Sequence, residues 1–104
     1  MSQRVEHTVA RGIRGRILNV LYCLRVSGGG LTLDMLRASL RPVDAVTEEE
    51  LIVHLQYLQA KGYVEVEDLD VLVGLAAKRV VLLPKGIDLL ERSIAADPGI
   101  INPL

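Results

Sequence analysis

Tryptophan and phenylalanine are both absent from the 104 residues, and Tyr22, Tyr57 and Tyr63 are the only aromatic side chains. A core must then be built from Leu, Val, Ile and Ala, in a chain that is nonetheless 50% hydrophobic. Such side chains suffice, since each large one contributes roughly 1.5–3 kcal/mol when fully buried. A single cysteine, Cys23, excludes an internal disulfide and fits a reducing cytoplasm. Long apolar runs are missing too. The longest, Ile17 to Leu24, is interrupted by Asn19 and bounded by Arg16 and Arg25. A membrane span needs about 20 predominantly apolar residues, so this stretch reads as a buried helix face and no membrane contact is expected. Arg25 follows the run directly and no small-residue cleavage site is present, so no signal peptide is expected.

The residues of catalysis are equally sparse. His7, His54 and Cys23 fall in three separate elements, with no two at metal-ligand spacing. His54 stands among core leucines and reads as a surface or satisfied histidine, and Cys23 as inert packing inside an apolar helix. Gly28-Gly29-Gly30 is not followed by a Lys-Ser/Thr pair, so no nucleotide loop is implied. No enzymatic activity, metal or cofactor is expected. The length fits one domain, without repeats or low-complexity segments.

What is there is an uneven charge. Net charge is −1, yet residues 1–41 carry seven basic residues against two acidic ones. Residues 42–70 carry Lys61 alone against eight acidic residues, and residues 71–104 carry four basic against three acidic. That polarity suits either nucleic acid at the basic segments or a charge-complementary protein.

Helical periodicity runs from about His7 to Val26, with Val9, Ile13, Ile17, Val20, Leu21 and Leu24 at steps of three and four. Gly12 and Gly15 are expected to weaken that helix by roughly 1 kcal/mol each. The glycines at 28–30 end it. A short helix from Leu33 to Leu40 follows, with Thr32 as N-cap and Met35, Leu36 and Leu40 expected inward. Pro42 stops it. Thr47-Glu48-Glu49-Glu50 then has capping-box spacing between Thr47 and Glu50. Leu51, Leu55 and Leu58 form the stripe of a third helix, closed by Lys61 and a left-handed Gly62. Tyr63 to Glu67 alternates as a strand, Gly74 marks a turn and Lys78 to Leu83 returns. Pro84 opens a last helix, Lys85 to Ala95, with Ile87, Leu90 and Ile94 inward. The expected fold is mainly α with a small β-hairpin: a three-helix core, a two-stranded wing and a closing helix over residues 1–96. Residues 97–104, with two prolines and no period, form an extended C-terminal arm.

The leucine-rich helix ending in Lys61-Gly62-Tyr63-Val64 resembles the winged helix-turn-helix family of DNA-binding domains, at the junction of recognition helix and wing. Val81-Leu82-Leu83-Pro84-Lys85-Gly86-Ile87-Asp88-Leu89-Leu90 looks like that family's last strand and its turn into the closing helix. In many winged-helix regulators the turn reads Leu-Thr-Pro-Lys-Gly; Leu83 stands here in place of Thr, which loses an N-cap. The resemblance spans roughly residues 8 to 96. The basic first helix, wing, closing helix and proline-containing tail are also similar to small winged-helix proteins of Mu-like prophages.

The resemblance implies double-stranded DNA as partner and a dimeric transcriptional regulator of phage or bacterial type. Candidate phosphate contacts are Arg37 and Arg41 beside the turn, Lys78 and Arg79 on the wing, and Lys85 at the next turn. Val53, Gln56 and Tyr57 form the outward face of the third helix, where Gln56 suits adenine. Thr47, Glu50 and Gly62 are structural caps. Glu48, Glu49 and Glu50 stand where the recognition helix meets the bases and oppose a duplex. A protein-interaction module, docking through the acidic third helix and an apolar wing, is therefore the alternative. Leu69, Val71, Leu72, Val73 and Leu75 on the wing, with Ile100 and Ile101 in the tail, suggest a homodimer.

Overall fold

The structure is a computed structural model; it describes residues 2–25, 30–40, 46–69 and 77–104, of which 2–7, 69 and 77 by backbone alone. Along the chain run α1 (Ser2–Cys23), β1 (Leu31–Thr32), α2 (Leu33–Leu40), α3 (Glu48–Ala60), β2 (Val64–Leu69), β3 (Ala77–Leu82) and α4 (Pro84–Leu90). The chain is mainly helical with one small antiparallel sheet, in the order β1-β3-β2.

The sheet corrects the two-stranded expectation. Leu31 pairs with Val80 and Thr32 with Arg79, so the inner edge of β3 is covered. Two residues are too few to show an alternation in sequence, yet they remove an open strand edge. Thr32 serves twice, since its Oγ1 also accepts the Met35 N–H at the start of α2 (3.3 Å).

Aliphatic residues build the core, joined among the described residues by buried Tyr63. Ile17 and Leu18 of α1, Leu36 of α2, Leu51 and Leu58 of α3, Val80 of β3 and Leu90 of α4 are wholly buried. The stripe of α2 is Leu33, Leu36 and Leu40, whereas Met35, expected inward, is 54% exposed. Position 35 lies off a stripe spaced by three and four. Cys23 is exposed for the same reason, two residues from buried Leu21 and thus on the opposite face.

The last helix ends at Leu90 rather than Ala95, which leaves Ile94 exposed. The Ser93 N–H reaches back to the Asp88 carbonyl (2.8 Å) and the Arg92 N–H to Leu89 (3.2 Å). These two bonds form the Schellman ending, with Arg92 left-handed at φ 61. Leu83 supplies no side-chain cap to α4, and Pro84 begins it. Residues 97–104 carry neither helix nor strand and lie against α1: Ile100 is buried and the Ile101 N–H bonds the Arg11 carbonyl (3.0 Å). Asn102 donates to the Leu89 and Leu90 carbonyls at the end of α4 (3.2 and 3.0 Å).

Candidate docking face and the expected contact residues

α3 is fixed at both ends by local chemistry. Thr47 has extended backbone, its hydroxyl accepts the Glu50 N–H, and the Glu50 carboxylate accepts the Thr47 N–H, both at 3.1 Å. The Thr47 N–H on that carboxylate, and second the Thr47 hydroxyl beside it, hold the Glu50 carboxyl below its ordinary value. At the other end Gly62 has φ 82. The Tyr63 N–H meets the Leu58 carbonyl and the Gly62 N–H meets Gln59, both at 3.0 Å. The chain can therefore enter β2 one residue after the cap.

Between these caps the helix divides cleanly. Leu51, His54, Leu55 and Leu58 face inward, while Glu49, Val53, Gln56 and Ala60 are exposed at steps of four, three and four. Val53 and Gln56 thus stand where the sequence places them. Tyr57 does not. Its ring lies under the Arg14 guanidinium (3.8 Å to the centroid), and its hydroxyl bonds Asp97 (3.3 Å).

The described cations assigned to phosphates are engaged within the chain. Arg37 donates from Nε to the Val46 carbonyl (2.9 Å), bracing the approach to α3. Lys78 bonds Asp68 at 2.6 Å and Arg79 bonds Glu67 at 3.4 Å. Both pairs sit directly across the β2–β3 ladder, where opposite charges attract. Lys85 reaches the Lys61 carbonyl at the end of α3 (3.0 Å) and lies 5.3 Å from the Tyr63 ring centroid. Arg41, Gly74 and the apolar wing residues Val71 to Leu75 lie outside the described residues, as does the side chain of Leu69. Ile100, expected at a dimer surface, is spent on the chain's own core, whereas Ile101 is 45% exposed.

A groove of about 260 Å³ separates α3 from the paired strands β2 and β3. Ile52, Leu55 and Val66 line it, flanked by Gln56, Gln59 and the Asp68–Lys78 pair. Gln59 spans it by accepting the Val66 N–H (2.8 Å).

One buried cluster went unread in the sequence. Asp97 is 9% exposed and accepts from the Tyr63 hydroxyl (2.8 Å), the Tyr57 hydroxyl and the Gly99 N–H (2.7 Å). Burial acts to raise its carboxyl pKa, but these donors, led by Gly99, outweigh it and hold the group low. Burial first, and the bond to Asp97 second, push Tyr63 up to about 12. Asp-Pro-Gly does announce a turn in which Asp bonds the N–H two residues on. Nothing local points to tyrosines 40 and 34 residues away. His54 is also buried, with Nδ1 unpartnered. Burial, then nearby Arg14, lower its pKa, against an opposing pull from Glu50.

Among the described residues no His, Cys, Asp and Glu group could hold a metal ion, and no helix is long and apolar enough to cross a membrane. No family model matches the chain, and no curated protein or solved structure is significantly similar to it.

Proposed function

We propose that this chain is a winged helix-turn-helix module that docks a protein partner through the outer face of α3 and the adjoining wing. One observation carries the choice. Both described wing cations are matched by carboxylates across the ladder, while Glu48, Glu49 and Glu50 stand exposed at the start of α3. The face is left negative where a duplex would bring its phosphates, which supports a protein with basic and aliphatic side chains as occupant. The order helix, strand, helix, capped helix, hairpin, helix supports the winged-helix assignment.

Sequence-specific DNA binding as a homodimer, in transcriptional control, is the second reading. The exposure of Val53 and Gln56 side by side on α3 favours it, because a recognition helix reads bases with such residues. A random duplex titrated with micromolar protein at about 50 mM salt separates the two, since non-specific binding is electrostatic and strongest at low salt. No complex is expected. A shifted duplex whose affinity falls with salt transfers the assignment to DNA, and sedimentation then tests the dimer.

A further inference from the structure

The C-terminal segment leaves a hollow between itself and the end of α4. After the Schellman ending the chain passes through exposed Ser93, Ile94, Ala95 and Ala96 before Asp97 anchors it to the two tyrosines. The space enclosed is about 350 Å³, with Leu89, Ile94, Ala96 and Ile100 as apolar walls. Its polar lining is Arg92, Asp97 and Asn102. Two of these three are engaged within the chain. Asp97 accepts three hydrogen bonds; Asn102 donates to two helix-end carbonyls and accepts the Leu104 N–H (3.0 Å).

Arg92 is different. One of its nitrogens donates to the Leu104 main-chain oxygen, and among the described residues no side-chain carboxylate forms an ion pair with it. The adjacent Glu91 accepts the Tyr22 hydroxyl instead (2.6 Å). A guanidinium has five N–H donors, so most of this one's, exposed at the rim of an apolar hollow, remain open to a ligand or to water. Its backbone is notable too, because the left-handed position it fills is one that glycine occupies without strain. Glycine there would relieve the backbone and remove the only cation from the hollow.

We propose that this hollow binds a small monocarboxylate, its apolar body against Leu89, Ile94, Ala96 and Ile100 and its carboxylate on Arg92. The volume equals about a dozen waters at ~30 Å³ each, which suits a ligand of about ten non-hydrogen atoms. The Asp97 carboxylate in the wall disfavours a second negative charge, so a dicarboxylate of equal length is rejected. Bound ligand would join the end of α4 to the C-terminal segment and tighten the seat of that segment on α1.

Octanoate is the probe, titrated into the full chain and followed by amide NMR, with 1-octanol and octanedioate as controls. Shifts at Leu89, Ala96 and Ile100 with a dissociation constant of about 1 mM are expected for octanoate, with both controls at least ten-fold weaker. The Ile101 amide, bonded to Arg11, should exchange more slowly in its presence. Arg92→Gln should weaken octanoate about ten-fold and leave octanol unchanged, and Arg92→Lys should restore part of the loss. Ala96→Phe, which fills the hollow from an exposed position, should abolish binding; Ile94→Asp, which sets a negative charge at its mouth, should weaken octanoate even if Ala96→Phe fails to fold. No shift at 10 mM octanoate overturns the proposal, as do equal binding of octanol and binding insensitive to Arg92→Gln and Ile94→Asp.

Discussion

At the scale of single residues, two glycines carry opposite lessons. Gly62 was legible because its need is local: a helix must end and a strand begin within about one residue, and φ 82 meets that need. Gly15 looked like a defect in α1. Its reason lies 86 residues away, where the Ile101 backbone crosses so closely that a Cβ on Gly15 would overlap the Ile101 carbonyl. Gly15→Ala therefore tests the packing with a sign. In an unobstructed helix the change would stabilise by about 1 kcal/mol. Here overpacking, typically 1–3 kcal/mol, should prevail, so the denaturation midpoint falls and the Ile101 amide exchanges faster. A raised midpoint would show that the C-terminal segment does not rest on α1. Gly62→Val should also destabilise, because a β-branched side chain is strained at positive φ; circular dichroism during urea titration measures it.

At the scale of elements, α3 was the most readable because its information is contiguous. Thr47, Glu50, the leucine stripe and Gly62 lie within 16 consecutive residues, and each does in the structure what its spacing implies. Thr47→Ala should cost about 1 kcal/mol through loss of the cap, read as a lower urea midpoint with unchanged slope. What α3 meets was not readable. His54 turns inward against α1, where burial and Arg14 disfavour its protonation despite Glu50. Its folded pKa thus lies below its unfolded value of about 6.5, and the unfolded chain binds the proton more readily. The stability that neutral His54 contributes is complete above pH 6.5 and is lost as pH falls through the lower folded value. His54→Leu should flatten that decline. Equal slopes for both proteins between pH 7 and 5 would place His54 in contact with water. β1 and the early end of α4 were hidden for a kindred reason, since pairing of Leu31 with Val80 and the turn at Arg92 depend on three-dimensional neighbours rather than on period.

At the scale of the whole molecule, the charge blocks of the sequence do not become separate surfaces. Arg11 and Arg14, from the basic block, donate to the Pro98 and Gly99 carbonyls of the C-terminal segment. Lys78 and Arg79 are matched by Asp68 and Glu67 from the acidic block. Counting charges along the chain made DNA plausible; cross-strand register, invisible to counting, is what cancels Lys78 and Arg79. That cancellation can be undone. In the double variant Glu67→Gln, Asp68→Asn the ladder keeps its hydrogen-bonding side chains, yet Lys78 and Arg79 lose their countercharges. Exposed pairs of this kind contribute only about 0–1 kcal/mol, so the fold should survive with a nearly unchanged melting midpoint. Two freed cations should release about 0.9 counterion each on meeting phosphates. The variant should then bind random duplex weakly at about 50 mM salt, with a log–log salt slope near −2, whereas the unaltered chain is expected to show no binding. Adding Lys78→Ala and Arg79→Ala to the variant should abolish that binding and its slope together. A variant that still ignores DNA would mean that the carboxylates at the start of α3 suffice to exclude the duplex. In that event Glu48→Gln and Glu49→Gln, added to the same background, are the changes expected to admit it.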